Sequence, residues 1–133
     1  MKQNPEVGAA LRREDPSYVF FREIKGDGPI GAEGAALSAE RSIAVDRKFV
    51  ALGVPVWLEA DERFAAAESV RRLMVAQDTG GAIKGPVRGD VYWGTGDTAG
   101  TRAGIMNASG RYYLLLPRAV ARRLAPGRLA RSD

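Results

Sequence analysis

The sequence predicts a mainly-β fold, a compact β-barrel with one or two short helices. Three observations predict it: short apolar runs recur at close spacing, glycine-rich turns separate them, and very few segments have a helical pattern. A βαβ sheet would need a long helical crossover between its strands, which this pattern lacks. With 133 residues, the chain has the size of one domain. The pattern leaves open whether the barrel is a Greek key or a more interleaved type.

The N-terminal part predicts a helix and then a strand. Asn4 suits an N-cap and Pro5 the first helical position, so a short helix is expected over about residues 5 to 14. Asp15-Pro16 ends it. The aromatic and β-branched segment from Ser17 to Glu23 predicts a strand. A turn-rich loop follows, with Gly26, Gly28, Pro29, Gly31 and Gly34.

Further short strands follow the loop. They are Ser42 to Val45, Pro55 to Glu59, Val70 to Gln77, Asp90 to Gly94 and Arg111 to Leu116. Asp97 is the expected N-cap of a helix from Thr98 to about Asn107, which leads through Ser109-Gly110 into the last strand. The segment after Pro117 is compatible with a frayed basic helix or with disorder.

The chain contains no histidine and no cysteine. This excludes Ser-His-Asp and Cys-His triads, disulfides, and zinc sites made of imidazole or thiolate. Asp and Glu are therefore the expected proton-transfer groups. Aspartates alone at these spacings form no recognisable ligand set, so we expect neither a metal nor an organic cofactor.

Charge and hydropathy limit the kinds of partner that the chain is expected to bind. The net charge is +4, and a C-terminal tail accounts for it, with arginines at 118, 122, 123, 128 and 131 against Asp133. The body is neutral, so nucleic-acid binding is not expected. The tail is either simply solvated or attracts anionic polymers. No apolar run approaches the roughly 20 residues that span a bilayer, and residues 1 to 15 contain no export signal.

The run from Leu73 to Thr98, LMVAQDTGGAIKGPVRGDVYWGTGDT, closely resembles a segment of the membrane-bound lytic transglycosylase A family. PSYVFFRE, RSIAVDRKFVALGVPVWLE and GRYYLLLPR match at flanking positions, so that about residues 14 to 118 are covered. The resemblance implies a six-stranded, barwin-like double-psi β-barrel over residues 16 to 118. Residues 1 to 15 would then be a helical linker and residues 119 to 133 a basic tail.

The same resemblance implies a site in a three-aspartate (3D) domain, with Asp46, Asp78 and Asp90 as the three aspartates. The family's third aspartate is the proposed catalytic acid, so this role falls on Asp90, with Asp78 as its neighbour and Asp46 in support. Such enzymes cleave peptidoglycan as the C6 hydroxyl of N-acetylmuramic acid (MurNAc) closes a 1,6-anhydro ring. One carboxyl group then suffices as acid and base, provided that Asp90 holds a proton near neutral pH. Val91, Tyr92 and Trp93 would dry its surroundings, and Asp78 would oppose its ionisation.

The substrate-binding residues expected from these motifs are Gly80, Gly81, Lys84 and Tyr92. The glycines either let the backbone approach a sugar, adopt positive φ, or form a tight crossover. A P-loop is excluded because Gly85-Pro86 follows Lys84. Asp90 shares a strand face with Tyr92, so Tyr92 is placed near the site and Trp93 in packing, with Trp57 as a further stacking candidate.

Simpler roles remain open for the aspartates. Asp90 lies where a loop meets a strand, a common position for a turn residue. Asp46 suits a structural salt bridge or a loop hydrogen bond.

The implied partner is the peptidoglycan glycan strand, in the periplasm or at the inner face of the outer membrane, and the expected state is a monomer. In the family the barrel is built from two sequence portions around an inserted domain, so the chain corresponds to the C-terminal portion. Three functions stay open: a lytic transglycosylase, a non-catalytic glycan-binding barrel or fragment, and a remnant whose unpaired strand edges prevent folding.

Overall fold

The computed structural model describes residues 5–14, 16, 20, 23–26, 28–61 and 70–124. One five-stranded sheet dominates it, accompanied by three short helices. The elements are α1 (Pro5–Arg13), β1 (Ser42–Val45), β2 (Pro55–Ala60), β3 (Val70–Asp78), β4 (Gly89–Val91), α2 (Asp97–Ile105), β5 (Gly110–Leu114) and α3 (Arg118–Leu124). None of the described helices has the length and apolar character needed to cross a membrane.

The sheet has the strand order β4-β1-β3-β2-β5. The central strand, β3, pairs parallel with β1 and antiparallel with β2. The outer strands β4 and β5 pair antiparallel with β1 and β2. The sheet curls into a half-barrel, which brings its two edges toward each other. The mainly-β prediction is thereby confirmed.

The core lies on the concave face of the sheet. In β2, Val56, Leu58 and Ala60 are buried and alternate with more exposed residues, as a half-buried strand requires. The side chains that join them from the other elements are Ile43, Val45, Val50, Val70, Met74 and Ala76. On the convex face Trp57, Leu73 and Tyr113 lie directly opposite one another across three strands and remain exposed.

Several predicted elements differ in detail from the structure. Helix α1 is confirmed, and the described residues contain three helices where one or two were expected. β4 ends at Val91 instead of Gly94, whose φ of 107° lies outside the extended region. Asp97 is the first helical residue and not the cap; the N-cap is Gly96, with φ 86° and no capping side chain.

Two predicted segments fall largely outside the described residues. Of the strand expected from Ser17 to Glu23, Phe20 and Glu23 belong to no strand, and the others lie outside the described part. In the C-terminal segment the basic helix is present as α3 up to Leu124, and residues 125 to 133 lie outside the described part.

Candidate active site

Asp90 lies in the middle of β4, at one edge of the sheet, and lines two clefts. One cleft has a volume of about 260 Å³ and contains Asp78, Ile83 and Tyr92 as well. The other, of about 300 Å³, lies between β4 and the end of α2 and contains Trp93 and Met106. Asp90 therefore lies within a strand and borders a cleft on either side.

Asp78 and Asp90 flank the same residue of β1. Ala44 is the register partner of Asp90 in β4 and, after a bulge, of Asp78 in β3. Two strand spacings thus separate the aspartate Cα atoms, roughly 9 to 10 Å. The Asp78 Oδ1 atom accepts the N–H of Ala32 at 3.0 Å. The predicted neighbourhood of the two acids in one cleft is present, with one of them already hydrogen-bonded to a loop.

Arg88 is the ion partner of Asp90. Its Nη2 atom lies 3.0 Å from Asp90 Oδ1, and the two side chains are 54% and 56% exposed. A pair this exposed contributes at most about 1 kcal/mol to stability, so it is free to rearrange. Arg88 was not predicted as a site residue, although in extended chain a spacing of two residues puts its side chain on the same side as Asp90.

The two aromatic residues after β4 lie in different clefts. Tyr92 lines the Asp78 cleft, as expected. Trp93 packs partly against the core, which agrees with its predicted packing role, and also lines the second cleft. The Arg102 guanidinium carbon stands 5.9 Å from the centroid of the Trp93 ring, within cation–π range.

Glu40 fastens α2 to the sheet. Its carboxylate pairs with Arg72 of β3 and, at 2.6 Å, with Arg102 of α2. Glu40 has φ 60°, a left-handed conformation that costs a non-glycine residue about 1 kcal/mol or more. The two ion pairs thus connect the central strand to the helix that forms the far wall of the second cleft.

Asp46 is buried and ties two loops together. Its Oδ1 accepts the N–H of Lys48 at 3.0 Å, and its Oδ2 accepts the N–H of Gly85 at 2.9 Å. The bond from Gly85, then that from Lys48, lowers the pKa of Asp46 below its usual value. Of the two structural roles considered for Asp46, the geometry matches the loop hydrogen bond. The residue lines neither Asp90 cleft.

The segment from Thr79 to Arg88 forms turns and contains no helix, which agrees with the exclusion of a P-loop. Positive φ was a wrong alternative for Gly80 and Gly81, because neither has it. The Gly80 carbonyl instead accepts the N–H of Ile83 at 3.1 Å, which makes a tight turn. Lys84 is exposed and lines neither of the two clefts at Asp90.

Tyr112 of β5 reaches the opposite edge of the sheet. Its hydroxyl lies where a side chain at Gly89 would begin, immediately before Asp90. Burial first, and then the charge of Asp90, raises the pKa of Tyr112 to about 12. This contact joins residues 23 positions apart on the two outer strands. No local pattern in the sequence indicates it.

Within the described ranges, no three acidic side chains are grouped closely enough to hold a metal ion.

Comparison with known proteins supplies the family. The model of the 3D domain matches residues 41–116, a range that includes all three aspartates. The chain belongs to the 3D domain family. The membrane-bound lytic murein transglycosylase A of Escherichia coli K12 is 39% identical over 111 residues, which are 79% of this chain and 30% of the relative. The resemblance found in the sequence is confirmed.

Solved structures of 3D domain relatives agree. The membrane-bound lytic murein transglycosylase of Agrobacterium tumefaciens has a TM-score of 0.80 at 39% identity, covering 92% of this chain and 34% of that one. The E. coli enzyme with bound chitohexaose has a TM-score of 0.70 at 36% identity, covering 83% and 34%. The chain thus spans about a third of the length of these proteins.

Proposed function

We propose that this 3D domain carries the acid of a peptidoglycan lytic transglycosylase, with Asp90 as the catalytic residue. The observation that carries the proposal is the position of Asp90 on an edge strand between two open clefts, with Asp78 facing one of them. The chain's similarity to lytic murein transglycosylases supports the reaction class. The chitohexaose bound to the E. coli enzyme supports an oligosaccharide as the ligand.

The proposed reaction breaks the β-1,4 bond between MurNAc and N-acetylglucosamine. Protonated Asp90 gives its proton to the glycosidic oxygen as the bond to the MurNAc C1 breaks. The MurNAc C6 hydroxyl oxygen then bonds to C1, and the Asp90 carboxylate takes the hydroxyl proton. The products are a 1,6-anhydro-MurNAc end and a free N-acetylglucosamine 4-hydroxyl. Asp90 is regenerated in its protonated form, and no water is consumed.

The neighbours of Asp90 take defined roles in this proposal. Arg88 must move away from Asp90 so that the carboxyl group can reach the glycosidic oxygen. Its exposure leaves room for that movement. Asp78, whose Oδ1 accepts the N–H of Ala32, lines the same cleft, where its carboxyl group stabilises the positive charge developing at C1. Tyr92 offers a ring for stacking against a sugar, and Gly80, Gly81 and Lys84 remain predicted glycan contacts on the adjoining turn.

We also propose the complete domain, the oligomeric state and the location of the protein. The described half-barrel would be part of a six-stranded double-psi barrel over residues 16 to 118, preceded by the helical segment 1 to 15 and followed by the basic tail 119 to 133. Acting as a monomer on peptidoglycan, it would work in the periplasm or at the inner face of the outer membrane. The relatives, which are named as membrane-bound, support this location.

A second candidate is a non-catalytic glycan-binding domain. One observation favours it: the acid stands exposed and paired with Arg88, as it would on a surface that only binds. Binding and cleavage can be separated by two measurements on one preparation, namely cosedimentation with purified sacculi and mass spectrometry of the released muropeptides.

The decisive variant is Asp90→Asn, matched by Asp97→Asn, which removes an exposed carboxylate at the start of α2. We expect the wild type and Asp97→Asn to release anhydro muropeptides and Asp90→Asn to bind sacculi without releasing them. Anhydro products from Asp90→Asn would remove Asp90 from the reaction. Binding by the wild type without any product would establish the second candidate instead.

A further inference from the structure

Tyr112 crosses the concave side of the sheet. Its register partner in β2 is Leu58, which is buried, so the Tyr112 ring lies on the inner face and packs against the core. From there the side chain extends to β4, the other outer strand, where its hydroxyl occupies the space next to Gly89. The two edges of the half-barrel thus meet through one phenol group.

Gly89 is required at this contact. A Cβ atom on Gly89 would collide with the Tyr112 hydroxyl and would lie 3.0 Å from both the Ala44 carbonyl oxygen and the Ile43 Cδ1 atom. Only glycine leaves enough space for the hydroxyl. Gly89 does not have a positive φ, so its backbone conformation does not require glycine. The glycine is therefore explained by close packing, with the phenol as the nearest group and β1 atoms behind it, and not by backbone conformation.

β4 needs such support. It has three residues, and among the described strands β1 is its one partner. Short edge strands with few buried contacts open locally at low free-energy cost. The Asp90 side chain has an exposed and weak ion pair with Arg88, which cannot hold the carboxyl group in one position. The position of the carboxyl group therefore depends on the backbone of β4, which includes Gly89.

We propose that Tyr112 is a positioning residue for Asp90, acting through Gly89 to hold β4 and its carboxyl group between the two clefts. For catalysis this rests on the proposed function, but the positioning itself does not. The phenol is suited to the task because its pKa, raised by burial and by Asp90, keeps it neutral at any pH where a carboxyl group titrates. It therefore adds no negative charge beside the acid.

A double-mutant cycle tests the contact without any activity assay. We expect Gly89→Ala to lower the thermal unfolding midpoint strongly in the Tyr112 protein and clearly less in the Tyr112→Phe protein, because removal of the hydroxyl makes room for the methyl group. The control is Tyr113→Phe, which removes the hydroxyl of the exposed neighbour. If the effects of Gly89→Ala and Tyr112→Phe are simply additive, the proposed contact does not exist.

Two further readouts separate positioning from general stability. Hydrogen exchange of the β4 amides should accelerate in Tyr112→Phe and not in Tyr113→Phe, while amides at the β2–β3 pairing keep their protection. With sacculi, Tyr112→Phe should lower the rate of anhydro product formation roughly 10- to 100-fold with unchanged glycan binding, as a displaced catalytic group does.

Equal protection of β4 in all three proteins, or an unchanged product rate in Tyr112→Phe, would overturn the positioning role. A wild type that makes no anhydro product would refute the proposed function alone, since the cycle and the exchange data would still decide on Tyr112.

Discussion

Met74 and Leu73 are neighbours on the central strand that face opposite sides of the sheet. Met74 is 1% exposed and lies opposite Val56, which is fully buried, whereas Leu73 is 41% exposed on the convex face. Replacing a buried Met by Ala costs about 2 to 5 kcal/mol. For a leucine this exposed, the loss is about 1 kcal/mol or less.

These costs translate into distinct melting temperatures. Unfolding entropy of about 2.1 cal/mol/K per residue gives roughly 280 cal/mol/K for a chain of this length. A loss of about 3 kcal/mol at Met74→Ala therefore lowers Tm by about 11 °C, and Leu73→Ala lowers it by about 4 °C at most. Differential scanning calorimetry measures both. Equal shifts, or a larger one for Leu73→Ala, would show that the assignment of concave and convex faces is wrong.

Three further predictions concern Asp46, helix α2 and the pairing of β5 with β2. Because its folded pKa is lowered, Asp46 contributes stability that is present above its unfolded value of 3.8 and is lost as the pH falls through the folded value. Asp46→Asn should therefore lower Tm at pH 7, and the difference from the wild type should shrink in thermal melts at lower pH; a constant difference would contradict this. Gly100→Ala should stabilise exposed α2 by about 0.5 to 1 kcal/mol, whereas Gly110→Ala should destabilise, since its Cβ would collide with the Glu59 carbonyl. Urea unfolding measures both, and a stabilising Gly110→Ala would contradict the pairing of β5 with β2.

The positions of the strands could be predicted because the residues that a strand buries are apolar, and this pattern is visible in the sequence. β1 has the predicted bounds, and β2 and β3 each extend one residue further. The start of α2 was harder. Asp97 has the chemistry of a cap, yet Gly96 takes the cap position because its positive φ turns the chain into the helix. The preference of aspartate for the N-cap position says nothing about the backbone conformation with which the chain enters the helix.

The arrangement of the site could not be predicted in the same way, because it depends on pairing between strands that are distant in the sequence. Asp78 and Asp90 share a cleft because β3 runs parallel to β1 while β4 runs antiparallel to it, an arrangement that periodicity does not contain. The family resemblance identified both acids, but not the groups that surround them. Tyr112 was missed because either tyrosine of the Tyr112-Tyr113 pair fits a strand, and the curl of the sheet decides which one meets β4.

Glu40 makes the second cleft sensitive to the surrounding electrolyte. The wall formed by α2 is held to β3 through a carboxylate between two arginines, of which Arg102 is half exposed. Mobile ions screen exposed charges that are farther apart than the Debye length, which is about 8 Å at physiological ionic strength and about 3 Å in 1 M salt. The hold of Glu40 on α2, and with it the width of the cleft beside Trp93, should thus respond to ionic strength only as the salt approaches molar concentration.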